Sequence, residues 1–159
     1  MNLPSFFPGH LEPGEYTFGM LKPDGYRRGL LGPILKTAWN SYAQLRPLII
    51  QEVNLTVADV EFLYGHILHS RPEVYPALCQ FSMSGPCYLM VLRGNLLQDA
   101  VPSWRRVMGA TNSKEAETGT IRNLWGNPTV IRENVVHGSD SEVRAFEEID
   151  YFFNRRDKS

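Results

Sequence analysis

The sequence predicts an α+β domain in which helices cover a four-stranded antiparallel sheet. Three observations lead to this prediction. The chain has 159 residues, which suits one domain. Apolar runs of strand length alternate with segments whose apolar residues recur at helical spacing. The order is strand–helix–strand, repeated once with small helices added, which is the split βαβ arrangement of ferredoxin-like βαββαβ folds.

The first predicted strand and helix follow a short N-terminal arm. Prolines and a glycine punctuate residues 1–14, which indicates an arm. Residues 15–21 are predicted to form a strand that ends at Lys22-Pro23-Asp24-Gly25, where proline and glycine predict a turn. Apolar residues at helical spacing over 29–42 predict one face of a helix.

The next segment combines a strand with two helices. Leu, Ile and Val enrich residues 47–55, which predicts the second strand. Thr56 and Asp59 resemble a capping box, and the apolar stripe that follows continues to Leu68. A shorter helix is expected over about 72–81.

Two further strands and a longer helix complete the prediction. Residues 87–93 form the third strand, and 94–108 are predicted to be mostly helical, with a kink or break at Pro102. Residues 109–132 are long and irregular, which in a compact domain usually indicates function or disorder. Residues 134–137 are the predicted fourth strand.

The C-terminal part is predicted to be a helix followed by a polar tail. Ser139 or Asp140 is expected to cap the helix. Residues 154–159 form a tail that we expect to fray. The predicted domain therefore spans residues 15–153.

Composition excludes several classes of protein. The net charge of −1 does not indicate a nucleic-acid or membrane partner, and no apolar stretch approaches the ~20 residues that cross a bilayer. No signal peptide is recognisable at residues 1–13, so we expect a cytoplasmic protein. Cys79 and Cys87 fit no zinc-binding spacing; reduced, buried thiols are expected, with a disulfide as the alternative.

His137 is the first candidate for chemistry. It ends a β-branched run and precedes Gly138, which leaves room for a bulky phosphate. A neutral imidazole carries a lone pair at physiological pH and can act as a nucleophile. A structural role is the alternative for any single histidine, and we assign that role to the other three: His10, His66 and His69.

Five basic side chains lie at or near predicted element ends. Arginine offers paired donors to a phosphate and lysine a compact charge, and phosphoryl transfer depends mainly on positioning and charge neutralisation. Convergence on His137 would supply both, whereas solvated surface charges are the alternative. The five are Lys22, Arg28, Arg71, Arg105 and Arg122.

Several short motifs in register resemble those of nucleoside diphosphate kinases. The opening motif is Thr17-Phe18-Gly19-Met20-Leu21-Lys22-Pro23-Asp24-Gly25, followed by Arg28-Gly29-Leu30. The most specific motif is Asn134-Val135-Val136-His137-Gly138-Ser139-Asp140-Ser141. The resemblance covers about residues 15–153. The motifs between these two keep the family's order: Arg71-Pro72, Ser84-Gly85-Pro86, Arg105 to Asn112, and Gly119-Thr120-Ile121-Arg122.

The resemblance implies catalytic roles for a small set of residues. His137 would accept and return the γ-phosphoryl group in a ping-pong reaction, and Lys22 would contact that phosphate and the sugar hydroxyl. Tyr64 would hydrogen-bond near the phosphoryl group and the histidine. Glu148 would orient the imidazole, and Ser139, with Asp140, would support the site. Without the resemblance, Tyr64 is equally a core residue and Glu148 a solvated carboxylate.

The resemblance also implies a nucleotide-binding set. Asn134 would bind the sugar 3′-hydroxyl. Mg²⁺ would bridge the nucleotide phosphates rather than occupy a cage made by the protein. Thr111, as a turn residue, has a structural alternative. The implied phosphate ligands are Arg71, Arg105, Thr111 and Arg122, and the set is completed by Val74, Tyr75 and Leu78.

The chain departs from the family pattern in three places. An extra residue precedes Arg71, and Val74 stands where the family has a phenylalanine, so aromatic stacking on the base is lost unless a backbone shift brings in Tyr75. The link 123–133 is slightly longer, and its Trp125 either packs or contacts the base. The C-terminal tail is short. The resemblance implies a homo-oligomer built on dimers, either a tetramer or a hexamer.

Three functions follow in order of support. The first is a nucleoside diphosphate kinase whose partners are nucleoside di- and triphosphates. The alternative is a catalytically weak nucleotide-binding or scaffolding relative of the same fold. Nucleic-acid binding on the sheet is disfavoured, because the strands lack paired aromatic motifs and the net charge is not basic.

Overall fold

The computed structural model describes residues 12–156. Residues 1–11 of the predicted arm and 157–159 of the predicted tail lie outside that range. The strands are β1 (Tyr16–Leu21), β2 (Arg46–Val53), β3 (Cys87–Arg93) and β4 (Val136–Gly138). They form one antiparallel sheet in the order β2-β3-β1-β4. The predicted ferredoxin-like α+β class is confirmed.

Seven α-helices cover the described part of the sheet. The connections also include a 3₁₀ turn at Ser113–Glu115 and a π-helical turn at Tyr151–Arg155. The helices are α1 (Pro23–Arg27), α2 (Leu31–Trp39), α3 (Val57–Ser70), α4 (Tyr75–Ser82), α5 (Ala100–Met108), α6 (Ile121–Trp125) and α7 (Glu142–Asp150).

The sheet has a hydrophobic core on each face, and β1 is buried along its whole length. Phe18 and Leu89 belong to the core that contains α3 and the end of α7. Leu21 and Trp104 belong to the other core, with α2 and α5. β1 lies between β3 and β4, so the residues that follow its C-terminal end, beginning with Lys22, leave the sheet between two paired strands.

Several local predictions are corrected by the structure. The predicted turn 22–25 is the start of α1, because Pro23 occupies a first-turn position that needs no N–H donor. Pro102 does not break a helix: α5 starts only at Ala100, so the proline lies in its first turn. Ser141, rather than Ser139 or Asp140, caps α7, its hydroxyl accepting the N–H of Arg144 at 3.1 Å.

The longest predicted irregular segment, 109–132, contains more structure than expected. It includes the 3₁₀ turn and α6, whose cap is Thr120. The two cysteines are free thiols, Cys87 buried and Cys79 half-buried, so the disulfide alternative is not realised. Among the described residues no helix is long and apolar enough to cross a membrane.

Candidate active site

His137 lies on β4, where its backbone is paired with that of Met20 in β1. The imidazole ring of His137 packs edge-on against Tyr64, with centroids 5.5 Å apart. The backbone carbonyl of His137 accepts a 3.3 Å hydrogen bond from the indole of Trp104. A Cβ on Gly138 would lie 2.5 Å from that indole, so glycine is required by close packing here. The backbone of the histidine is therefore fixed from the α5 side.

A chain of polar contacts holds the ring of His137. The Ser139 hydroxyl donates to one oxygen of Glu148, and the other oxygen, Oε1, lies 3.2 Å from His137 Nε2. The Tyr64 hydroxyl lies 3.4 Å from Nδ1. We assign the proton to Nε2, since its neighbour is a carboxylate, which leaves the lone pair on Nδ1.

Glu148 is 2% exposed, so its charge requires partners. Burial opposes ionisation of Glu148, but His137, the Ser139 hydroxyl and Arg144 outweigh it and hold its pKa below the usual value. Tyr64 behaves differently: burial, reinforced by the charge of Glu148, raises its pKa, so it remains a hydroxyl donor. The two ring nitrogens of His137 therefore face different groups: Nε2 faces the ionised carboxylate of Glu148, and Nδ1 faces the neutral hydroxyl of Tyr64.

The ammonium group of Lys22 is buried beneath the site. It donates to the Arg132 carbonyl at 2.5 Å and to Asn134 Oδ1 at 2.8 Å, and it lies 5.0 Å from the centroid of the Phe81 ring. Burial, partly offset by Asp24, lowers the pKa of Lys22 to about 7. The charge of Lys22 is therefore weakly supported by the protein alone and would be favoured by a neighbouring anion.

Val135 lies two residues before His137 and has a positive φ of +74°. This left-handed backbone conformation costs a β-branched residue roughly 1–3 kcal/mol. Two contacts hold it. Its N–H donates to Asp24 at 3.1 Å, and its carbonyl accepts the Lys22 N–H at 2.8 Å. The Asn134 amide donates to the Thr111 carbonyl at 2.8 Å. Backbone strain is thus stored next to His137.

These groups open onto one cavity of about 850 Å³. Arg122 is almost buried, donates to the carbonyls of Gly109 and Val136, and has a pKa lowered to about 10 by burial. Arg71 and Arg105 are exposed at the cavity. Eleven of the thirteen predicted site residues line it: Lys22, Tyr64, Arg71, Val74, Leu78, Arg105, Thr111, Arg122, Asn134, His137 and Glu148.

Two predicted residues do not line the cavity. Ser139 acts behind it, through Glu148. Tyr75 is half-buried and packs against the core on the α3 side, so it does not supply the aromatic face that Val74 lacks. Trp125 is likewise packed against a core, and its carbonyl accepts the Arg28 guanidinium at 2.6 Å. The packing interpretation of Trp125 is supported.

Sequence reasoning missed three contributors to the site, His66, Arg144 and Trp104. His66, to which we gave a structural role, lines the cavity beside residues 129–132 of the lengthened link. Arg144 also lines it, with its Nε 3.7 Å from Glu148 Oε1. The four-residue spacing of Arg144 and Glu148 on α7 is a sequence signal that could have found this pair. No local pattern predicted Trp104, which lies 33 residues from its partner.

The imidazole of His137 is oriented by a carboxylate and opens onto a cavity lined by basic side chains. This combination is typical of phosphotransferase sites. The nucleoside diphosphate kinase family model matches residues 15–158. The nucleoside diphosphate kinase of Persephonella marina is 40% identical over 141 residues, covering 89% of this chain and 94% of that protein. That of Oleidesulfovibrio alaskensis is 41% identical over 140 residues, covering 88% and 94%.

Solved structures agree with these relatives. The nucleoside diphosphate kinase from Halobacterium salinarum in complex with CDP has a TM-score of 0.74 and 33% identity, with 90% of each chain covered. The apo enzyme from Encephalitozoon cuniculi has a TM-score of 0.74 and 31% identity, covering 87% of this chain and 88% of that one. The chain belongs to the nucleoside diphosphate kinase family and is an enzyme of that family.

Proposed function

We propose that this enzyme transfers the γ-phosphoryl group of an NTP to an NDP in two steps, through phosphorylated His137. The observation that carries the proposal is the arrangement of the imidazole: Nε2 meets Glu148 at 3.2 Å, which leaves the Nδ1 lone pair beside the Tyr64 hydroxyl. A nucleophile, an orienting carboxylate and a hydroxyl donor are thus in reach of one another.

In the first step, Nδ1 of His137 attacks the γ-phosphorus and the bond to the β,γ-bridging oxygen breaks. The bridging oxygen keeps the electron pair and the NDP leaves. The ring becomes cationic, with the proton still on Nε2, and the Glu148 carboxylate stabilises that charge. In the second step, a terminal oxygen of another NDP attacks the phosphorus, and the N–P electron pair returns to Nδ1. Like bonds are exchanged, so the reaction is nearly isoenergetic.

Cationic and polar groups of the cavity bind the nucleotide. Arg71, Arg105, Thr111 and Arg122 hold the phosphates, Asn134 binds the sugar 3′-hydroxyl, and Lys22 contacts both the transferring phosphate and the sugar. Support comes from their shared cavity, and from the CDP complex of the Halobacterium salinarum relative. Arg71 and Arg105 have no hydrogen-bond or ion-pair partner for their guanidinium groups among residues 12–156, so both are available to phosphates.

We assign Mg²⁺ to the nucleotide rather than to a protein cage. No cluster of three or more His, Cys, Asp or Glu side chains in the described range could hold a metal ion. Glu148, the buried carboxylate nearest the nucleophile, is already bonded to His137 and Ser139. The donor set therefore fits a metal that arrives on phosphate oxygens and keeps several waters. When bound there, Mg²⁺ would neutralise phosphate charge.

The nucleobase is held by aliphatic contacts in this chain. Val74, 36% exposed, and Leu78 line the cavity together with Val130 and Ile131. These side chains offer apolar area without an aromatic face. Weak base selectivity follows, because the specific contacts go to phosphates and sugar.

We further propose a cytoplasmic homo-oligomer, a tetramer or hexamer built on dimers. The free thiols of Cys79 and Cys87 support the compartment. The edge strand β2 supports the assembly. Four of its eight residues, Arg46, Ile50, Gln51 and Glu52, are exposed, and among residues 12–156 its outer edge pairs with no other strand, so that edge can pair with a partner.

The proposal is tested with γ-labelled ATP, Mg²⁺ and purified protein. We expect an acid-labile phosphoprotein in the wild type, none in His137→Ala, and passage of the label to GTP when GDP is added. Folded wild-type protein that binds nucleotide and never acquires label would contradict the phosphohistidine route. Base exchange can be followed in the same assay by varying the NDP.

A further inference from the structure

Arg144 lies one turn before Glu148 on α7 and pairs with it. Its Nε lies 3.7 Å from Oε1 of Glu148, the same oxygen that faces His137 Nε2 at 3.2 Å. The side chain of Arg144 is 27% exposed and that of Glu148 is 2% exposed. A guanidinium and an imidazole therefore share one carboxylate oxygen, while the other oxygen is taken by Ser139.

The remaining contacts of Arg144 fix its guanidinium. Nη2 donates to the Phe62 carbonyl at 2.8 Å, and Nη1 donates to Glu147 at 3.0 Å. The guanidinium carbon lies 4.7 Å from the centroid of the Phe62 ring. With its donors engaged by α3 and α7, this arginine is poorly placed to bind phosphate itself, although it lines the cavity.

We propose that Arg144 is a positioning residue that keeps the Glu148 carboxylate charged and aimed at His137, and that it thereby sets the lower pH limit of phosphorylation. This inference rests on the proposed phosphohistidine function. Arg144 acts through Glu148 and the imidazole, without touching the nucleotide.

The sign of the effect follows from the groups around the carboxylate. Glu148 faces His137 from β4, the Ser139 hydroxyl after β4, Tyr64 from α3, and Arg144 on its own helix. His137 and Glu148 are close enough to take up a proton as a pair. A fixed positive charge disfavours that uptake at either site, and Arg144 is among the groups that lower the pKa of Glu148. Removing Arg144 therefore moves the acid limb of the pH–rate profile, where the rate falls as the pH is lowered, to higher pH.

The decisive comparison is Arg144→Met with Arg144→Lys. Methionine keeps apolar contact with Phe62 and loses the charge; lysine keeps the charge and loses the planar fork. The measurement is the single-turnover rate of phosphoenzyme formation against pH. We expect Arg144→Met to shift the acid limb upward by roughly 0.5–1 pH unit, less than a fully buried ion pair would give because Arg144 is partly solvated. Arg144→Lys should restore most of that shift.

Arg155→Met is the matched control. Arg155 follows α7, pairs with Asp150 and has a side chain that is 60% exposed. It is not among the groups that lower the pKa of Glu148, so its removal takes away one positive charge without touching the carboxylate's partners. We expect a wild-type acid limb. Equal shifts in Arg155→Met and Arg144→Met would overturn the inference, because net charge alone would then explain both.

A second variant keeps the test decisive if Arg144→Met does not fold. Glu147→Gln removes the anion that faces Arg144 while leaving the arginine in place, and we expect the acid limb to move to lower pH. A wild-type limb in this variant, or in folded Arg144→Met whatever its thermal stability, contradicts the inference. Absence of label in the wild type is a different result: it contradicts the phosphohistidine function itself.

Discussion

The histidine end of the cavity and its nucleobase end are built on opposite principles. At the histidine end, Glu148, Lys22 and Asn134 are at most 4% exposed, and each is hydrogen-bonded. At the nucleobase end, Val74 and Ile131 are 36% and 47% exposed, and their aliphatic side chains carry no hydrogen-bonding groups. Both ends line the same cavity.

The difference teaches where sequence change is tolerated. A buried polar group left without its partner costs about 1–3 kcal/mol or more, so each member of the histidine end constrains the others. A half-exposed aliphatic residue carries no such constraint. Two of the three departures from the quoted motifs, at Val74 and in the link 123–133, concern the nucleobase end, while Lys22 and His137 lie within the motifs.

Removing the charge at the histidine end is expected to have the largest effect. Glu148→Gln keeps an acceptor for His137 Nε2 but cannot stabilise the cationic ring, so phosphoenzyme formation should slow roughly 10²–10⁴-fold. Rapid-quench kinetics at a fixed pH measure this. Glu142→Gln, an exposed carboxylate in the first turn of the same helix, serves as the control. A loss below tenfold would argue against an orienting role for Glu148.

Lys22 should make nucleotide affinity depend on pH. Its pKa is about 7 because burial disfavours the charge, and a phosphate beside it would raise that pKa. Binding therefore takes up protons above pH 7, and NDP affinity should fall about threefold to tenfold from pH 7 to pH 8. Calorimetry in buffers of different ionisation enthalpy detects the uptake. In Lys22→Gln the uptake should disappear; persistence would assign it to another group.

The lowered pKa of Lys22 also makes the free energy of unfolding depend on pH. A lysine whose folded pKa lies below its unfolded value binds fewer protons when folded. The contribution of Lys22 therefore becomes more favourable as the pH rises from about 7 toward 10.5, and is lost as the pH falls through that window. Comparing denaturant midpoints of wild type and Lys22→Gln across the window isolates this contribution from other titrations.

Restoring an aromatic face at the nucleobase end should give a smaller effect of opposite sign. Val74→Phe is expected to tighten NDP binding roughly twofold to tenfold, the range given by about 0.5–1.5 kcal/mol of aromatic contact. Inorganic triphosphate, which lacks the base, should bind both proteins equally. If NDP affinity does not improve, the missing aromatic face is not what weakens base contact.

The smallest expected effect comes from the segment that lines the nucleobase end. Asn127 accepts the backbone N–H of Thr129 at 2.9 Å and donates to Glu133 at 2.8 Å, which closes the loop that carries Val130 and Ile131. Asn127→Ala should raise KM for the NDP roughly twofold to threefold at unchanged kcat, since each such hydrogen bond contributes about 1 kcal/mol. A fall in kcat would show that the loop reaches the histidine end.

Much of the molecule was predictable because its signals are local. Helical and strand periodicity, a capping box at Thr56 and the motifs around Lys22 and His137 are short-range patterns. They led to the correct fold class and to eleven of the residues that line the cavity. Element starts were less predictable. Whether Pro102 breaks a helix or begins one depends on where the first turn lies, and no neighbouring residue determines that.

What the sequence determined by itself was the fold class, the family and the identity of the residues at the histidine end. Only the tertiary structure decided how they are used. Tyr75 packs against the core, the indole of Trp104 donates to the His137 carbonyl, and Arg144 pairs with the Glu148 oxygen that faces His137. The physical reason is that these contacts join different elements or follow from side-chain packing, whose geometry exists only once the sheet and helices have packed together.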